Sequence, residues 1–169
     1  MTDKARIPVI LSGVRTPMGR FLGGLAPLQA PQLGAITVAE AVKRAGIDPG
    51  EVEEVIMGNV VPAGEGQAPA RQAAIHGGIP ATVPSMTINK VCGSGLKAVM
   101  LAAQAIKAGD YQVAVAGGFE SMSNVPFYLR NHRGGVKFGD QTLQDGLIYD
   151  GLWCSFGNCH MGGHAEYTA

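Results

Sequence analysis

Cys92 stands in the run Asn-Lys-Val-Cys-Gly-Ser-Gly-Leu-Lys, residues 89–97, where a strand-like segment gives way to a helical one. A thiol at a helix N-terminus meets unpaired backbone N–H groups and the positive end of the helix dipole, and both favour thiolate over thiol. Gly93 and Gly95 keep side chains out of the path of an incoming carbonyl and leave N–H groups free to face a developing oxyanion. That is the chemistry of a nucleophile forming a thioester. Three other readings compete. A free cysteine is often a small buried hydrophobe. Gly93-Ser-Gly95-Leu-Lys-Ala98 fits the G-x-G-x-x-A turn of a dinucleotide site, with Glu120 placed for a ribose. That reading is weakened by polar Asn89 and Lys90 beside the turn, and it leaves Cys92 without a role. A serine nucleophile elbow at Ser94 fails, because it needs glycine where Cys92 stands.

A second cluster is Cys154, Cys159, His160 and His164, spaced C-x4-C-H-x3-H. The cysteine spacing suits a metal, but the second pair follows without the usual helix-forming stretch between. No metal is expected, and Cys154 and Cys159 are read as loop packing residues. His76 and His132 are assigned to a surface or an interface. Arg71 is read as a structural ion pair or interface residue rather than a phosphate ligand. Lys97 is either solvated or a helper of the Cys92 thiolate.

These residues need a scaffold, and the hydrophobic pattern supplies one. Strand-like segments at 8–16, 54–61, 83–91 and 111–118 alternate with helical segments at 32–46, 67–78 and 94–109. The first helix places Leu33, Ile36, Ala39 and Val42 on one face, and Gly46 stops it. The third helix is polar only along Lys97, Gln104 and Lys107, so a covering layer is expected over the rest of it. Strands alternating with helices give βαβ units, a parallel sheet and helices on its faces: an α/β fold. From Asn124 the periodicity lapses, which divides the chain into an α/β unit, 1–123, and a loop segment, 124–169.

Lys plus Arg number 13 and Asp plus Glu 13, so no bulk charge grips nucleic acid or an anionic membrane. The first residues, MTDKARIPVILSG, lack the pattern of a secretory leader, and no run approaches the ~18 apolar residues of a membrane span. Three cysteines make an odd set, which argues against a secreted disulfide framework and for a reducing, cytoplasmic setting.

The run around Cys92 resembles the nucleophile segment of the thiolases, of the acetoacetyl-CoA thiolase type. The resemblance continues in RTPMGRFLGGL (15–25), GQAPARQAA (66–74), AGGFESMSNVPF (116–127) and CHMGGHAEYTA (159–169), in the family's order. It implies a thiolase-like N-terminal half, with helices packed on a mixed sheet, followed by a partial loop domain. It implies that Cys92 is the nucleophile, that His160 and Met161 line the pocket for the acyl and pantetheine end of CoA, and that Leu152 joins them by spacing alone. Acyl-CoA and CoA are then the partners, no cofactor is needed beyond these thioesters, and the parent protein is a homo-oligomer, dimer or tetramer, of fatty acid metabolism.

The family also uses an asparagine in N-E-x-F, a histidine in G-H-P that activates the nucleophile, and a cysteine in C-x-G-G that moves the condensing carbon's proton. None of these motifs occurs in the 169 residues. The chain is therefore expected to be inactive alone and to associate. A dinucleotide-binding module and a non-catalytic half-fold interaction protein stay open as alternatives.

Overall fold

Residues 6–169 are described by a computed structural model. Residues 1–5, the start of the first unit and of the leader reading, lie outside the described residues.

Helix α1 (Ala30–Ala45) starts two residues before its expected first residue, because Pro31 suits a helix's first turn and the Gln32 side chain accepts the Gln29 N–H at 2.8 Å. Gly46 closes it with a φ of 69°, the left-handed conformation a side chain would resist. The buried stripe is Leu33, Ala35, Val38 and Val42, whereas Ile36, assigned to that stripe from spacing, is 53% exposed. The cause lies at Gly34: a Cβ there would sit 2.4 Å from the Phe119 ring and 2.9 Å from Ala73, so α1 turns this bare edge to its neighbours.

Strands β1 (Glu54–Gly58), β2 (Ser85–Ile88) and β3 (Ala114–Gly118) form a sheet in the order β2-β1-β3, parallel at both junctions. Helices α2 (Pro69–His76) and α3 (Ser94–Ala108) complete the βαβ units. Residues alternate across the sheet as strand geometry requires. Val55 and Met57 join α1, α2 and Phe119 on one face; Ile56 joins Ala98 and Ala102 of α3 on the other. The result is a three-layer α/β/α arrangement. The expected strand 83–91 ends at Ile88, which explains its polar close: Asn89 and Lys90 belong to the turn.

Two expectations are corrected. Residues 8–16 form no strand; they run as an irregular segment with Ile10 82% exposed. A cleft of about 760 Å³, lined by Ile7–Thr16 on one side and Gln112–Glu120 on the other, separates the segment from β3. Apolar sequence alone cannot make a strand where no neighbour takes its N–H and C=O groups. With that segment unpaired, the three strands of this sheet are all parallel, and among the described residues no antiparallel member makes it mixed.

Helix α3 buries only Ser94, Ala98 and Ala102, and it leaves Leu96 69% exposed, with Val99 and Met100 also open. The residues from 124 onward are a chain of short pieces. β4 (Phe127–Tyr128) pairs with β5 (Gln144–Asp145), and β6 (Trp153–Cys154) pairs with β7 (Cys159–His160), both antiparallel. Helix α4 (Met161–Thr168) follows. Asn124 fastens the start of this segment to the body, donating to the Ala26 and Leu28 carbonyls at 2.9 and 3.0 Å.

Candidate active site

The turn before α3 is built by side chains on both sides of Cys92. The Asn89 carboxamide accepts the Val91 N–H at 2.8 Å and donates to the Val60 carbonyl at 3.2 Å. The Ser94 hydroxyl accepts the Lys90 N–H at 2.8 Å and donates to the Val91 carbonyl at 2.6 Å. Between them Val91 takes a φ of 47°, a left-handed conformation that a β-branched residue avoids unless its surroundings impose it. The thiol that follows is exposed. Cys92 lies two residues before the first residue of α3, with Gly93 as the cap, so it faces the helix terminus from just outside. Among the described residues, the Cys92 N–H has no hydrogen-bond partner within the protein. A free N–H beside an exposed thiol is the arrangement that receives a carbonyl oxygen as its carbon is attacked.

Three glycines set where this turn sits. A Cβ on Gly58 would lie 2.5 Å from the Ser94 carbonyl carbon and 2.6 Å from the Gly95 nitrogen. One on Gly118 would lie 3.0 Å from the Gly58 oxygen and 3.1 Å from the Gly95 Cα. The N-terminus of α3 therefore rests directly on the C-terminal ends of β1 and β3, main chain on main chain. Open α/β sheets carry their ligand crevices at that edge. Gly58 has no role in the expectations from sequence, although a glycine ending an apolar strand is the signal for it.

Behind the turn lies a carboxylate cluster that the sequence reading also missed. Glu120 accepts the Val60 N–H at 2.9 Å, the Val61 N–H at 3.0 Å and the Asn59 amide at 2.9 Å. Asn59, 1% exposed, donates to Glu65 as well, at 3.2 Å. Burial pushes the Glu65 carboxyl up to about 7, against the pull of the Asn59 amide and with help from the Glu120 charge. Burial likewise raises Glu120, opposed by the Val61 and Val60 N–H groups. Glu120 is thus committed to the Val60 and Val61 backbone and the Asn59 side chain, which removes the acid the dinucleotide alternative requires.

The other predicted site residues lie in the loop segment. Leu152 ends a wide helical turn, Leu147–Leu152; His160 ends β7; Met161 opens α4. The His160 Nδ1 accepts the Gly162 N–H at 3.0 Å, which fixes the ring at the start of α4. Among the described residues no hydrogen bond joins these three to Cys92. Among the described residues Arg71 makes no ion pair: its guanidinium donates to the Val83 and Ala81 carbonyls and clamps the approach to β2. His76 and His132 are exposed.

The sequence matches the family description "Thiolase, N-terminal domain" over residues 8–169. The chain belongs to the thiolase family. It is 57% identical over 161 residues to an acetyl-CoA acetyltransferase of Cupriavidus necator, which covers 95% of this chain and 41% of that protein. It is 54% identical to acetyl-CoA acetyltransferase 2 of Arabidopsis thaliana, with 95% and 40% covered. A mitochondrial acetyl-CoA acetyltransferase of Xenopus tropicalis is 52% identical, with 95% and 38% covered. This thiolase chain therefore spans about 40% of the length of these curated relatives. Among the described residues no helix is long and apolar enough to cross a membrane.

Proposed function

We propose that the protein to which this thiolase segment belongs transfers acyl groups between CoA thioesters: two acetyl-CoA in, acetoacetyl-CoA and CoA out, and the reverse. The observation that carries the reading is the exposed Cys92 thiol beside its own free N–H, on a turn fixed from both sides. The Cys92 thiolate attacks the acetyl carbonyl, its oxygen turns toward the Cys92 N–H, and the carbon–sulfur bond to CoA breaks with CoA leaving as thiolate. The α-carbon of a second acetyl-CoA, having lost a proton, then attacks the acyl carbon and expels Cys92.

His160, Met161 and Leu152 are assigned to the wall around the acyl and pantetheine end of CoA. The histidine of G-H-P and the cysteine of C-x-G-G, which move protons in the family, are not among these residues. The reaction needs no cofactor beyond CoA thioesters, and the working form is a cytoplasmic homo-oligomer, dimer or tetramer, without nucleic acid or membrane as partner. Support for association comes from the open apolar face of α3.

The test is Cys92→Ser in the full chain as encoded. A hydroxyl is far less ionised than a thiol near neutral pH, so acetoacetyl-CoA cleavage should vanish while the circular dichroism and melting temperature stay unchanged. Near-normal cleavage by the variant refutes the assignment.

A further inference from the structure

The turn between β6 and β7 brings together three side chains that the reading above leaves idle. Cys154 and Cys159 are directly paired across the two antiparallel strands. His164, one turn into α4, reaches back so that its Nε2 lies 3.3 Å from the Cys159 sulfur. All three converge over Gly157: a Cβ built there would lie 3.2 Å from the His164 Nε2, 3.4 Å from the Cys159 sulfur and 3.5 Å from the Cys154 sulfur. The glycine keeps this small cradle clear. Among the described residues no group of three or more His, Cys, Asp or Glu side chains is arranged to hold a metal ion, so the cradle is not a ready metal cage.

Directly opposed residues of an antiparallel pair have Cα atoms about 4.5–5.5 Å apart, inside the ~4.4–6.8 Å range that a disulfide spans. Cys154 and Cys159 can therefore be joined with little backbone movement. Both are partly exposed, so a small reagent can reach them. The Gly157 N–H donates to the Cys154 sulfur at 3.2 Å. That contact, the His164 ring and the Phe156 N–H together hold the Cys154 thiol below the usual cysteine range. The loop such a bond closes is short, so it constrains few unfolded conformations and the link stays easy to reduce.

We propose that Cys154 and Cys159 form a reversible dithiol–disulfide pair, with His164 as its proton carrier, whose substrates are low-molecular-weight disulfides. His164 takes the Cys154 proton, and the Cys154 sulfur attacks one sulfur of the small disulfide. That S–S bond breaks, and its first half leaves as a thiol with the proton from His164. The Cys159 proton then passes to His164, and the Cys159 sulfur attacks the Cys154 sulfur of the mixed disulfide. The second half leaves as a thiol with that proton. Two protein thiols are oxidised and one small disulfide is reduced to two thiols. The pair does not depend on Cys92; the link would close one residue before His160 and so tighten the loop assigned to the CoA pocket.

The experiment equilibrates the full chain with glutathione and glutathione disulfide at stepped ratios, quenches with acid, and weighs the peptide carrying both cysteines. The expected product is that peptide lighter by two hydrogen atoms, restored by excess glutathione. Cys159→Ser should stop at a glutathione adduct on Cys154. His164→Gln should slow linkage about three- to tenfold near neutral pH, because each unit of lost acidity costs about tenfold in thiolate and returns about threefold in nucleophilicity. That gap should close above about pH 9, where the thiol ionises unaided, and an unchanged circular dichroism spectrum shows that the variant is folded. Two intact thiols, or glutathione on both cysteines without a link, would overturn the pair. A His164→Gln pH profile superimposed on wild type would overturn the role of the imidazole.

Discussion

Gly58→Ala adds one methyl group directly beneath the turn that carries Cys92, and it should damage catalysis more than stability. The new Cβ would meet the Ser94 carbonyl carbon at 2.5 Å, the Gly95 nitrogen at 2.6 Å and the Ser94 Cβ at 2.6 Å. Ordinary carbon contacts begin near 3.5 Å, so about 1 Å of movement is needed. The blocking atoms include main chain of α3's first turn, which no rotamer change can move aside. Overpacking of this kind costs about 1–3 kcal/mol. The motion falls on the turn that carries Cys92, and a misplacement of ~1 Å at a reacting group costs on the order of 10²-fold in rate. The assay is acetoacetyl-CoA cleavage by the full chain alongside its urea midpoint, with Gly24→Ala as control because a Cβ there has no atom within 4 Å. The expected pattern is a loss in kcat of about 10²-fold beside a modest drop in midpoint. Equal kcat in both variants would show that α3 does not rest on β1 as described.

Further outcomes follow from the same geometry. The Glu65 carboxyl titrates near 7 in the fold but near its ordinary value of 4.5 when unfolded, so between those values the folded form binds more protons and stability falls as pH rises. The melting temperature should be higher at about pH 5 than at about pH 8 from this source, and Glu65→Gln should flatten that slope; an unchanged slope argues against a buried Glu65. Glu120→Ala strips the Val60 and Val61 N–H groups and the Asn59 amide of their acceptor and should cost about 1–3 kcal/mol in denaturant titrations. NAD at roughly millimolar concentration should give no saturable isotherm by calorimetry, and a clear one would restore the dinucleotide alternative. The 169-residue chain should associate in light scattering, since Leu96, Val99 and Met100 stand open on α3; a clean monomer would mean that this face is covered in some other way.

Local signals carried most of the scaffold. The periodicity of α1 and α3 and the stop at Gly46 are properties of adjacent residues, and the structure places both Gly46 and Gly109 in the left-handed conformation. The turn at Cys92 was legible for the same reason, since its glycines and the helix that follows all lie within a few positions. What escaped depends on distant partners. Residues 8–16 read as a strand, but pairing needs an edge that the segment does not reach. Glu120 is bound to residues about sixty positions earlier in the chain, and no spacing rule announces that. The thiol pair was hidden by scale: β6 and β7 are two residues each, too short to show an alternation.

The seat beneath Cys92, backbone of Gly58, Gly95 and Gly118 in direct contact, has a consequence for how such a protein can vary. A wall of side chains offers natural variation a graded series, methyl by methyl, through which a site's shape can drift. A seat of bare main chain offers no such series, because the smallest side chain already overshoots. The position of Cys92 is then close to all-or-nothing under mutation. On the proposed function, divergence in acyl-chain preference must then come from elsewhere, and the short-strand loops after residue 124 are where there is room for it.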